Sequence, residues 1–243
     1  MKKILLTSAF SLMVAGAAFG QGSVNWGSIP FTAVTAQTNS TVASTFAPGV
    51  IVGPQGQGLT AGAQTGTAFY YALLFTSFSG TQAAQPTTMS QLTGAGWQAA
   101  PLLTATNSNT AGRLQVAPAN SGAQVSWSPG TTNSIMLVGW SGNLGTSWAA
   151  VANVLANWNT LGSGIVGQGF FGTSSTGYIN PLLSTSSVGA TMFGNGALSA
   201  QGLPIFSTLT QLNVLVPTPE PGTLALAALG GASLLMFRRR NSK

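Results

Sequence analysis

Between Lys3 and Glu220 this chain carries a single charged side chain, Arg113. Soluble domains normally have about a quarter of their residues charged; here the whole chain has 3%. A body of roughly 196 residues (21–216) built this way must be held by apolar burial and backbone pairing, behind a neutral coat of Ser, Thr, Asn, Gln and Gly. That length, with 44% hydrophobic residues, is enough for one domain with a core of its own. There is no cysteine, so no disulfide braces it. The remaining cations sit at the two ends: Lys2 and Lys3, then Arg238, Arg239, Arg240 and Lys243. The pI near 10.6 therefore describes the ends. The body offers no basic footprint for nucleic acid.

The same absences remove most reaction chemistry. General acid–base catalysis wants a His, Asp, Glu or Lys on the reacting group, and glycosidases typically use two carboxylates. Common metal sites draw on Cys, His or carboxylates, and a serine nucleophile needs a partner to take its proton. The body has none of these partners, only Tyr70, Tyr71, Tyr178 and Arg113. The expectation is a protein that is not an enzyme and takes no cofactor or metal. Residues 162–167 fit G-x-G-x-x-G, but a helical pattern precedes them and no acid follows until Glu220. That context is wrong for a dinucleotide site, so the string reads as a glycine-rich loop. Asn39-Ser40-Thr41 reads as a chance sequon. Arg113 reads as a solvated charge at a strand edge, which discourages edge pairing.

Runs rich in β-branched and aromatic residues, bounded by Gly, Pro, Ser or Asn, predict short strands. They fall at 50–52, 68–78, 113–117, 124–127, 134–140, 188–193 and 211–216. The run 68–78 is apolar on both faces and should be central. Trp148, Val151, Ala152, Leu155 and Trp158 recur at helical spacing, predicting one short helix over 147–158 with Thr146 or Ser147 as N-cap. Residues 53–66, 82–91 and 162–176 read as exposed loops. The fold class expected is mainly β: an antiparallel β-sandwich, or a partial barrel, with one short helix and a C-terminal transmembrane helix. Trp148 and Trp158 read as core rather than as a sugar platform.

Both ends read as addresses. Lys2 and Lys3, an apolar stretch over 4–15 and the small residues Ala18 and Gly20 make a secretory signal peptide over 1–20. Cleavage is expected between Gly20 and Gln21, with the 15–17 stretch as second choice. At the other end Pro219-Glu220-Pro221 precedes an apolar run over 222–237 and then Arg238-Arg239-Arg240. Clustered arginines keep their end of a membrane segment in the cytoplasm. The run of about 16 residues would span roughly 24 Å, short against a hydrocarbon core of about 30 Å. Arginine snorkelling and local thinning accommodate the difference.

The block Pro219-Glu220-Pro221-Gly222-Thr223, the apolar segment and the arginine cluster resemble a PEP-CTERM protein-sorting domain, found in Gram-negative bacteria that make extracellular polysaccharide. The resemblance covers residues 217–243. It implies recognition and cutting by an exosortase, a transpeptidase-like membrane enzyme. The expected partners are then signal peptidase and exosortase, with the inner membrane holding the protein before processing. The body would be periplasmic first, then at the cell surface or extracellular. The leading expectation is a non-catalytic surface or extracellular-matrix protein, with exopolysaccharide or further copies of itself as candidate partners. The alternative is an exopolysaccharide-binding module, which exposed coplanar tryptophans would favour and buried ones disfavour.

Overall fold

The computed structural model describes residues 21–25, 36–43, 58–59, 69–94, 96–107, 114–116, 121–158, 169–183, 188–194, 197–206, 210–215, 229–231 and 233. The strands are β1 (Gly22–Asn25), β2 (Ala36–Ala43), β3 (Gly58–Leu59), β4 (Phe69–Ser77), β5 (Gln98–Asn107), β6 (Leu114–Val116), β7 (Ser121–Val125) and β8 (Asn133–Ser141). They continue with β9 (Gly169–Ile179), β10 (Leu182–Leu183), β11 (Ala190–Thr191), β12 (Phe193–Gly194), β13 (Gly202–Leu203), β14 (Ile205–Phe206) and β15 (Thr210–Leu215). One α-helix, α1 (Trp148–Ala156), lies between β8 and β9.

The chain is mainly β, and most of its pairings are antiparallel. A nine-stranded sheet runs β3-β2-β15-β9-β8-β4-β5-β6, with β13 added against β9. Its centre is β8, all of whose residues are buried. β8 pairs along its whole length with β4, from Phe69 opposite Ser141 to Ser77 opposite Asn133. The central position expected of the 68–78 run is therefore observed. A four-stranded sheet has β1 between β10 and β11, with β7 also on β1. Three pairings are parallel: β1 with β11, β12 with β14, and β15 with β2.

Alternation along the central strands sends side chains to two separate cores. Tyr71 and Leu73 of β4 and Ile135 and Leu137 of β8 join Val24, Val125 and Trp127 of the small-sheet region, together with Met192, Phe193 and Ile205. On the opposite face Ala72, Leu74, Met136, Val138 and Trp140 pack with Leu92, Trp97, Val151, Leu155 and Trp158. The small sheet covers one face and α1 with the 89–97 segment covers the other. The helix thus adds a layer that a two-sheet sandwich lacks. Each large apolar side chain so buried contributes about 1.5–3 kcal/mol.

The helix forms where the spacing predicts. Ser147 caps it by accepting a hydrogen bond from the Ala150 N–H at 3.4 Å, and Val151 and Leu155 are its buried residues. The loop expected over 162–176 is wrong in its second half: β9 begins at Gly169 and lies inside the sheet between β15 and β8. The strand is rich in Gly, Ser and Thr because other segments press on it. A Cβ at Gly177 would come within 2.5 Å of the Leu203 carbonyl oxygen. The ladder also shifts register opposite Leu137, and there the Ser174 hydroxyl accepts the buried Leu137 N–H at 2.9 Å. β1, β2 and β5 carry no prediction from sequence either. The 188–193 run is divided, with buried Met192 between β11 and β12. The predicted strand 50–52, Arg113 and the glycine string 162–167 lie outside the described residues.

Candidate functional site

Two places in the chain bear on function: a groove on the helix-covered face and the segment that follows β15.

The groove forms where α1 begins. Tyr70 of β4 faces Thr106 of β5 on one side and Trp140 of β8 on the other. Thr104 and Thr106 are exposed while Leu103 and Ala105, one position off, are buried on the opposite face. Residues 146–149 then rise over this floor, leaving a cavity of about 450 Å³ lined by Tyr70, Thr104, Thr106, Trp140, Thr146, Ser147 and Trp148, among others. Its aromatic rings form a run: Tyr70 stacks near Trp140 at 6.3 Å and 19°, and Trp140 meets Trp148 at 6.1 Å and 50°. Trp148 in turn stacks near Phe171 at 6.2 Å and 25°. Trp140 is fixed beneath by donating its indole N–H to the Gly145 carbonyl at 2.8 Å. Gly145 can offer that carbonyl because it takes φ +136°, a conformation other residues rarely adopt.

Chemically the groove is neutral. Its lining supplies aromatic faces, methyl groups and the hydroxyls of Thr104, Thr106, Thr146 and Ser147, and no carboxylate, imidazole, thiol or amine. Such a lining combines ring faces for stacking with hydroxyls for hydrogen bonding. Among the described residues no cluster of three His, Cys, Asp or Glu stands ready for a metal ion. Trp97, Trp127, Trp140 and Trp158 are buried, as expected of Trp158, whereas Trp148, also expected in the core, is half-buried and lines the groove with Trp140. The groove itself was hidden in the sequence because β5 contains Pro101, which argues against a strand. The alternation of Leu103 and Ala105 with Thr104 and Thr106 is the signal that reveals it.

The second place begins where β15 ends. Leu212 and Leu215 are buried, one in each core, and Leu215 pairs with Gly169 of β9. Pro219, Glu220, Pro221, Arg238, Arg239 and Arg240 lie outside the described residues, as does Gly20; Gln21 is exposed directly before β1. Of the expected transmembrane helix 222–237, residues 229–231 and 233 are described, helical and exposed. There the Ser233 hydroxyl donates to the Gly230 carbonyl at 2.8 Å. Among the described residues no helix is long and apolar enough to cross a membrane.

The family model of the PEP-CTERM protein-sorting motif matches residues 217–240. The match spans Pro219-Glu220-Pro221, the apolar run and all three arginines. This PEP-CTERM motif implies an exported protein, sorted to the cell envelope, with an exosortase as its processing partner. No curated protein and no solved structure matches the chain.

Proposed function

We propose that this is a non-catalytic cell-surface or extracellular-matrix protein, exported with signal peptide 1–20 and held in the inner membrane by helix 222–237. Arg238, Arg239 and Arg240 stay in the cytoplasm, and an exosortase cuts the tail near Pro219-Glu220-Pro221. The observation that carries this reading is the PEP-CTERM match at 217–240, which starts two positions after the last residue of the folded sheet. Exposed Gln21 directly before β1 supports it, because trimming there leaves the first strand whole. A body without acids, His, Cys or Lys supports a structural role. So do the buried Trp97, Trp127 and Trp158, which pack in the two cores. A surface with almost no net charge favours association, which suits a matrix component.

Deleting residues 217–243 tests the sorting step. The truncated protein is expected to leave the cell-surface fraction and accumulate in periplasm or medium. Unchanged surface retention of that variant would overturn the proposal.

One observation favours a second reading, an exopolysaccharide-binding module: the groove between Tyr70, Trp148 and the exposed Thr104 and Thr106. Aromatic faces beside hydroxyls suit sugar C–H faces and hydroxyl groups. Calorimetric titration with the cells' own polysaccharide decides it. Binding that Trp148→Ala removes would support a module, and no heat from either protein would dismiss it.

A further inference from the structure

β15 is not a fringe strand. It lies between β9 and β2 in the nine-stranded sheet, so β2 and β3 join the remaining strands through it. Leu212 is 0% exposed and Leu215 is 1% exposed. Asn213, Val214 and Leu215 pair with Phe171, Phe170 and Gly169. The sorting motif begins at residue 217, leaving Val216 alone between the sheet and the motif. From Leu215 to Pro219 is four residue steps, which cannot exceed about 14 Å fully extended. The headgroup region on each side of a bilayer is itself about 5–8 Å deep. A tail anchored beyond Pro221 therefore draws the folded sheet against the membrane surface.

An enzyme that cuts a peptide acts on chain that is locally opened, and its rate follows the population of the open form when opening is fast. Cleavage near Pro219 requires several free residues on the N-terminal side of the cut, and these run back into the buried end of β15. We infer that β15 acts as a brake on tail processing: exosortase cleavage waits on local release of residues 213–215 from β9. This rests on the reading of 217–240 as a processed membrane tail. The brake has a structural consequence. A cut upstream of Leu215 would remove part of the strand that joins β2 and β3 to the sheet, so the scissile bond must lie beyond it.

The test follows tail loss in a pulse-chase, in cells with and without the exosortase, for three full-length chains. They are the wild type, a chain with ten Gly/Ser residues inserted after Val216, and Leu215→Ala. The insertion is expected to speed processing about tenfold, equivalent to about 1.4 kcal/mol less local opening, with thermal stability of the body unchanged. Leu215→Ala, which loosens the strand end, is expected to speed processing while lowering body stability. Equal rates for wild type and insertion, with wild type processed only when exosortase is present, would overturn the brake and leave the sorting proposal standing. A wild type that keeps its tail in both strains would overturn both.

Discussion

Tyr71 on β4 lies over Gly139 on β8, its direct register partner, and a Cβ added at Gly139 would stand 2.7 Å from the tyrosine ring and 2.9 Å from Leu212. The glycine leaves room for the largest fully buried side chain of the small-sheet core at the middle of the large sheet. Gly139→Ala should therefore overpack the centre and cost about 1–3 kcal/mol. Urea denaturation checks it: a lowered midpoint with an unchanged slope is the expected outcome.

The bulge in β9 makes a second prediction. Ser174 accepts the buried Leu137 N–H at 2.9 Å and donates to the Ser175 carbonyl at 2.7 Å. Ser174→Ala leaves that N–H without its acceptor, at a cost of about 1–3 kcal/mol. Amide exchange at Leu137 should accelerate more than at Leu73. Equal acceleration throughout the sheet would mean that the hydroxyl has no local role.

Trp140 is held by its hydrogen bond to Gly145, just before α1. Trp140→Phe keeps an aromatic ring and loses the donor, so a loss of about 1–2 kcal/mol is expected. The near-ultraviolet dichroism of Trp148, its ring neighbour at 6.1 Å, should weaken at the same time.

Stability should be nearly independent of pH. The slope of unfolding free energy with pH is set by the difference in protons bound by the unfolded and native states. Residues 21–216 contain no Asp, Glu, His, Cys or Lys, so no side-chain type with an ordinary pKa between about 4 and 9 is present. Both states bind the same number and the slope is zero. Melting temperatures measured across that window should coincide; a steady fall on acidification would refute the prediction.

The sequence reveals the elements whose apolar pattern is dense. β4 and β8 stand out as continuous hydrophobic runs, and the 211–216 run over β15 shows Leu212, Val214 and Val216 alternating with Asn213 and Leu215 ahead of the tail. Helix α1 is marked by Val151, Leu155 and Trp158 at helical spacing behind the Ser147 cap. β9 is hidden because it is built from glycines and hydroxyl residues: Gly177 admits the 203–205 segment, and Ser174 repairs the ladder with its side chain. Composition there reads as a loop, whereas close approach of a neighbouring backbone dictates small residues. β1 is hidden for a related reason, since buried Ser23 and Asn25 look like turn residues. The groove depends on β5 beside β4; the alternation of Leu103 and Ala105 with Thr104 and Thr106 marks β5 as a strand, but its pairing with β4 is tertiary. The sorting tail was legible because its signal is a linear order of residues.

The most direct test of the central claim is the intact mass of the protein recovered from exosortase-bearing cells, compared with the same protein from cells lacking the enzyme. A chain starting at Gln21 is expected in both. Its C-terminal end should fall beyond Leu215 and near Pro219-Glu220-Pro221 only where exosortase is present, and the arginines should remain attached where it is absent. A mass spanning Met1 to Lys243 in both strains would contradict it.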